Sequence, residues 1–372
     1  MKRFLIVFIV VLTVPTLVFG ADDGEYESYL SNYDLSVFRE ELDSETYELL
    51  SELGIDDFDY SSISSLSFET VLKILKKLAQ GKAKSPMKSM ISVLFFIVLS
   101  ALFQSLKANG DEELSGIFSS CAALIMAIIL VAEISPSITI AVAAVKLAGD
   151  FIFAFVPVFC AIVIASGGIT TSFATNSMLL MLSQGLSFIS ANVFMPLVNC
   201  FLAVGICSSI RSELNLGNLI NSARKGITNA MSLLSAGFVS VLSMKTAVSA
   251  RADILGLRSI RFVINSVVPV IGGSVSEGLL SIQSYSSLIK SSVGIVGIIA
   301  IALIFLPSII EIMLWRAALS VSSLISEVFG DTSVSLVLRT FKDAALLINV
   351  ILVLSMVTTI VSFGVLIAAR SG

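Results

Sequence analysis

From Ser89 to the C-terminus the chain is a succession of long apolar runs with few charges. A hydrocarbon core of about 30 Å takes roughly 20 helical residues to cross. Within that core every backbone N–H and C=O must be satisfied inside the protein, which leaves helices as the natural spanning element. The runs predict eight spans, at 89–106, 114–133, 151–166, 176–191, 193–210, 230–250, 290–313 and 344–369. Composition agrees, since the chain is 56% hydrophobic and 13% charged with a mean hydropathy of +0.98, where a soluble domain carries about 25% charged residues. Such a chain cannot cover its own surface with polar groups. The expected fold class is therefore all-α, a polytopic helical membrane protein with a small exported N-terminal helical segment, and a soluble enzyme is excluded.

Two stretches fit the span pattern less well. Residues 137–150 read as an extension of the third span. Residues 262–283 are apolar but broken by Pro269 and Gly272-Gly273, which suits a re-entrant or interfacial hairpin better than a clean crossing.

Ahead of the spans, Lys2 and Arg3 precede an apolar run from Phe4 to Phe19, and Gly20, Ala21, Asp22 and Asp23 then switch to small and acidic residues. This reads as a signal peptide over 1–21, with an uncleaved anchor as the alternative. Either version places the next segment, 22–86, outside the cytoplasm. Residues 21–69 hold fifteen acids against the single Arg39, whereas 70–90 hold six lysines and no acid. Asp43-Ser44 can cap a helix carrying Tyr47, Leu49, Leu50 and Leu53, with Gly54 as its stop. A second helix is expected over Phe68–Gln80, ended by Gly81. Its Val71, Leu72, Leu75, Leu78 and Ala79 share one face, and Lys73, Lys76 and Lys77 share the other. That pattern fits a basic amphipathic helix on anionic lipid or a partner, and equally the solvated face of a small packed domain.

The remainder, 87–372, is the membrane domain. With a translocated N-terminus, the basic 211–229 and 314–343 loops come out cytoplasmic, as the positive-inside rule requires, while the lysines before the first span and Arg251, Arg258 and Arg261 do not. Three landmarks also recur at nearly one offset. Pro157 and Pro269 are 112 residues apart, Pro196 and Pro307 are 111 apart, and the Ser208–Glu213 and Ser322–Glu327 stretches are 114 apart. Duplicated halves over 151–250 and 262–369 would produce this, with a working site between them. An unrelated pair of helical hairpins in a biased composition would as well.

Candidate chemistry is sparse. Histidine is absent, which removes Ser-His and Cys-His dyads and histidine metal sites. Cys121, Cys160, Cys200 and Cys207 lie in apolar runs, and no structural disulfide is expected. There is no G-x-x-x-x-G-K-[ST] loop, so ATP-driven work would need another subunit. Lys146 and Asp150 are four apart on one helix face and either line a polar path or mark a membrane boundary. Glu311 and Arg316 are expected at a span end, anchored with Trp315. Pro269, Gly272 and Gly273 break the chain, and Ser274 with Glu277 forms an S-x-x-E capping box directly after. Helix starts of this kind expose N–H groups that bind anions in transporters, or are simply interfacial turns. Ser166-Gly-Gly-Ile-Thr-Thr171 after Pro157 is a looser counterpart. Lys146, Asp150, Pro157, Pro269, Gly272, Gly273, Ser274 and Glu277 are thus the candidate path or gating residues. No catalytic residue, metal or cofactor is expected. Neither is a nucleic-acid partner.

The stretch Ala252-Asp-Ile-Leu-Gly-Leu-Arg-Ser-Ile-Arg-Phe-Val-Ile-Asn-Ser-Val-Val-Pro-Val-Ile-Gly-Gly-Ser-Val-Ser-Glu277 carries a resemblance, together with Ile289–Gly297, Leu306-Pro307 and Met195–Asn199. It is similar to the stage III sporulation protein AE family over most of the chain, and most strongly between about residues 150 and 330. The resemblance implies an endospore-forming source and a place in the mother-cell membrane around the forespore. It also implies membership of the multi-protein channel joining the two cells, with a cytosolic ATPase, small membrane proteins and ring-forming proteins as partners. It brings no catalytic residues.

The resulting expectation is a membrane platform or conduit of that channel, in contact with lipid. The alternative is a self-contained solute permease with its substrate near Pro157–Ser166 and Pro269–Glu277; an intramembrane enzyme comes third. A polar site at 268–277 predicts that Glu277→Ala combined with Gly273→Leu abolishes spore formation at unchanged protein level. Normal sporulation by the double variant would refute that role.

Overall fold

The computed structural model describes residues 28, 30–31, 33, 35–55, 68–105, 112–210, 217–267 and 272–368. The expected signal peptide over 1–21, residues 22–27 and 56–67 of the acidic segment, and Pro269 lie outside the described residues. Among those described the chain is helical, without a strand: α1 (Ser36–Glu40), α2 (Ser44–Glu52), α3 (Phe68–Lys82), α4 (Lys84–Ser105), α5 (Glu112–Ala165), α6 (Ile169–Phe188), a π segment (Ile189–Phe194), α7 (Met195–Ile210), α8 (Gly217–Val267), α9 (Gly272–Val328) and α10 (Thr332–Ala368). The fold is all-α and polytopic.

Helix length departs from the span pattern. Five helices among the described residues are long and apolar enough to cross a membrane: Glu69–Leu102, Ile117–Ala165, Arg224–Ile260, Ile282–Val328 and Thr332–Ala368. The expected pair 114–133 and 151–166 is one helix, α5, of 54 residues, and so about 80 Å long. Pro136 and Pro157 lie inside it; each removes one N–H, but the proline φ remains helical, and neighbouring helices support such sites in membrane proteins. The pair 176–191 and 193–210 likewise lies in one helical run. The π segment joins α6 directly to α7, and Pro196 follows it as the second residue of α7, giving no N–H to that run. The described part of the basic 211–229 stretch, 217–229, and most of 314–343 are helix and not loop. α8 starts at Gly217, and α9 runs on to Val328 before a tight turn into α10. Among the described residues of these stretches, the charged side chains lie on helix except at the 329–331 turn.

That turn is built from a signal the span pattern passes over. Gly330 takes φ +78°, the Asp331 N–H bonds Ser326 O at 3.1 Å, and Asp331 Oδ1 then accepts the Val334 N–H at 3.2 Å. One helix is closed and the next capped within three residues. The N-terminal helix α2 is as its sequence reads. Asp43 accepts from the Thr46 N–H at 3.3 Å, and Gly54 at φ +79° ends it with Ile55 N bonded to Leu50 O at 3.0 Å.

Gly81 does not end α3. The helix continues to Lys82, and only Ala83 separates it from α4, with Ala83 N–Ala79 O and Met87 N–Ala83 O bonds bridging the step. The apolar face of α3 is used: Ile74 and Leu78, like Leu49, Leu50, Leu53 and Ile55, are buried in the core shared with the rest of the bundle, and α2 and α3 both pack on α9. Its lysines face outward, Lys77 pairing with Glu52 and Lys82 with Glu45 at 2.8 Å. The structure therefore favours the packed domain over a helix lying on lipid. This domain rests on α9, where Tyr33 hydrogen-bonds Ser286 and burial raises the phenol above its ordinary pKa.

The centre of the molecule is α9, whose apolar stretch is 83% buried, against 6% for that of α8. α10 folds back along α9, and α5 packs against both. Their closest approach is made by glycine. A Cβ at Gly294 would lie 2.5 Å from Ile367, and one at Gly297 would lie 2.8 Å from the Phe155 ring. Phe151, Phe155 and Phe159 stack along α5 with centroids 5.5 and 5.2 Å apart, and Phe363 of α10 sits 5.0 Å from Phe155. The Ile289–Gly297 stretch singled out above thus acquires a packing role. Gly297→Leu is expected to destabilise the bundle by about 1–3 kcal/mol through overpacking. The readout is a lower thermal midpoint in detergent. Gly226→Leu should not lower it, because a Cβ there meets nothing within 4 Å.

Candidate functional site

The polar side chains inside the bundle form a seam of carboxylates, each held by hydroxyls or backbone N–H groups. Its best-defined member joins two stretches that the sequence left separate. α5 ends at Ala165, and Ser166, Gly167 and Gly168 turn the chain into α6. Gly167 takes φ +92° and is so closely covered that a Cβ would lie 2.9 Å from Leu257 and 3.3 Å from Gln283. The first N–H groups of α6 have no partner in their own helix. Asp253 of α8, 4% exposed, supplies one. Its Oδ1 accepts from Thr170 N at 2.6 Å and its Oδ2 from Thr171 N at 2.8 Å. A carboxylate facing the positive end of a helix dipole is doubly favoured there. The anion expected at this helix start is thus the chain's own.

A second member lies between α5 and α9. Ser137 donates to buried Glu311 and accepts the Trp315 indole N–H at 2.9 Å. Glu311 and Trp315 are 7% and 1% exposed, so both face the bundle interior, whereas Arg316 beside them is exposed. A carboxylate costs about 2.5–3.5 kcal/mol at mid-span on insertion scales, and the hydroxyl and indole let it be buried. One turn earlier on α5, Glu133 accepts from Ser89 of α4 at 2.6 Å. At the far end of α4, Ser100 donates to Asp331 at 2.5 Å, and Ser119 bonds Ser333 at 2.8 Å.

The residues expected to form a path are dispersed. Lys146 and Pro157 are exposed and Asp150 is half-buried, and none of the ion pairs among the described residues joins Lys146 to Asp150. Pro269 lies outside the described residues. Gly272 and Gly273 open α9 within its first turn, and Ser274 and Glu277 follow on the same helix; the side chains at these positions are outside the described set. Of the stretch 262–283, expected as a re-entrant or interfacial hairpin, residues 268–271 lie outside the described residues, and the described residues on either side are helical. Among the landmark pairs, Pro157 is inside α5 and Pro307 inside α9, whereas Pro196 opens α7. The Ser166–Gly168 turn has no counterpart some 112 residues on, because that position is inside α9.

Sequence reasoning missed Glu133, Ser137, Asp253 and Asp331. Glu133 carries a usable signal, being the sole charge between Ile117 and Val145. Asp253 carries none, since its partners lie more than eighty residues away. Chemically the seam holds helices in register. No group of three or more His, Cys, Asp or Glu side chains that could hold a metal occurs among the described residues.

A family model described as Stage III sporulation protein AE matches residues 58–370. The Stage III sporulation protein AE of Bacillus subtilis (strain 168) is 26% identical over 233 residues, which cover 62% of this chain and 57% of that protein. The match therefore spans little more than half the length of that relative. No solved structure matches the chain.

Removing the Asp253 carboxylate leaves the start of α6 without its cap. Asp253→Ala is expected to destabilise the protein by about 1–2 kcal/mol, and Asp253→Asn, which keeps one acceptor, by less. Thermal midpoints in detergent give the order; equal midpoints for all three proteins would show that the cap contributes nothing.

Proposed function

The chain belongs to the stage III sporulation protein AE family, and from this premise we propose that it is a multi-pass membrane subunit of the channel linking mother cell and forespore. It acts there as platform or conduit in the mother-cell membrane that surrounds the forespore, its N-terminal segment lying outside the cytoplasm. Its partners are the cytosolic ATPase and the ring-forming proteins of that assembly. It performs no catalysis of its own.

The observation that carries this reading is the combination of family membership across nearly every described helix with helices far longer than a bilayer. α5, α8 and α9 have 54, 51 and 57 residues, about 75–85 Å each, against a hydrocarbon core of about 30 Å. Much of each helix stands clear of the lipid as surface for neighbours. A self-contained permease would need a vacant site near Pro157–Ser166. The helix start in that region is already occupied by Asp253, which weighs for the subunit reading.

The test is purification of the tagged chain from sporulating cells, followed by cross-linking and mass spectrometry. Recovery with an ATPase and ring-forming proteins is the expected result. A chain recovered alone overturns the reading and returns the permease.

A further inference from the structure

A cavity of about 520 Å³ lies between α8, α9 and α10, away from the carboxylate seam. Its walls are mostly apolar, with Ile309 and Met313 from α9 and Val350, Val353 and Leu354 from α10. Four polar side chains interrupt them: Thr228 and Ser232 from α8, Arg316 from α9 and Asn349 from α10. Ser232 and Arg316 are exposed while Val350 and Val353 are half-buried, so the cavity opens sideways from the bundle.

Two of these groups call for a ligand. Arg316 closes the long apolar run of α9, where a guanidinium reaches the headgroup level of a bilayer, and it belongs to none of the ion pairs among the described residues. The other arginine nearby is already matched. Arg224, one turn before Thr228 on α8, pairs with Asp343 of α10 at 2.8 Å. Asn349 is 8% exposed, and its Oδ1 is buried with no hydrogen-bond donor. Burying such a group unpaired is costly, and the cavity is where a donor would enter.

Each feature narrows the ligand. The apolar walls take an alkyl chain, and Arg316 takes an anion, best a phosphate. The phosphodiester and ester oxygens of a phospholipid are all acceptors, so the donor for Asn349 must come from its headgroup. An ammonium headgroup would bring positive charge beside Arg316, whereas a hydroxyl would not. We propose that this cavity is a binding site for an anionic, hydroxyl-bearing glycerophospholipid of the phosphatidylglycerol type. Its phosphate lies on Arg316, its headgroup hydroxyl on Asn349 and one acyl chain along Val350–Leu354. The site is independent of the channel assignment, because it rests only on side chains of α8, α9 and α10.

The experiment is thermal unfolding of the purified full chain in detergent with added lipid, since a ligand that binds only the folded state raises the midpoint. Phosphatidylglycerol should raise it in a saturable way, and phosphatidylcholine, phosphatidylethanolamine and chain-free glycerol phosphate should not. Arg316→Gln and Asn349→Leu should each weaken the response about tenfold or more, as expected for a charge-assisted or buried hydrogen bond. Arg251→Gln, an exposed position elsewhere on α8, should respond like the parent chain. No shift with phosphatidylglycerol, or an equal shift with phosphatidylcholine, overturns the proposal. A shift with glycerol phosphate alone overturns the lipid assignment, and one with phosphatidic acid equal to that with phosphatidylglycerol overturns the role of the headgroup hydroxyl. Should one variant fail to fold, the other decides: an unaltered response from it overturns the site.

Discussion

Where lipid is the solvent, the hydrophobic effect does not draw one apolar helix toward another, so helices associate only as closely as their surfaces fit. In this bundle the fit is set by Gly294 and Gly297. With no Cβ at either position, α9 approaches the Phe155 and Phe159 rings of α5 and Ile367 of α10, and Phe363 completes the aromatic layer from the other side. The close packing of α10 and α5 on α9 follows from that approach. A bulkier α9 would hold α5 too far away for Ser137 to reach Glu311.

The same approach makes internal polarity tolerable. Asp253, Glu311 and Asp331 are each less than a tenth exposed, and each accepts from groups on another helix. A carboxylate so placed is costly when its partner is lost, which makes these contacts specific for one arrangement of helices. Hydroxyls of serine supply the donors that Glu311 and Asp331 take from other helices. Their abundance in so apolar a chain thereby gains a structural meaning, since a serine fits a close helix contact and still carries a proton to share.

Fold class, the capped helix at Asp43–Glu52 and the amphipathic faces of Phe68–Lys82 were legible in the sequence, because each depends on residues close together in the chain. Helix number was not. The 314–343 stretch looks like a loop because Arg316, Glu327, Asp331, Arg339, Lys342 and Asp343 crowd into it, yet only Gly330 and Asp331 provide the backbone for a turn. Charge reports where a helix leaves lipid, and says nothing about whether the helix ends there. The seam was illegible for a different reason: Asp253 and Thr170, or Ser137 and Glu311, meet only through the packing of distant helices. Lys146 and Asp150 met the local criterion of spacing, but their surroundings, which spacing does not encode, leave them apart.

The uninterrupted length of α9 has a mechanical consequence. A helix of 57 residues is a stiff rod of about 85 Å, so pivoting it by roughly 5° about one end carries the other end some 7 Å sideways. Pro307, inside the rod, removes one rung of its hydrogen-bond ladder without ending the helix. Force applied at one face of the bilayer is thus delivered to the opposite face by a single covalent element, and the packed domain seated against Ser286 would feel it first.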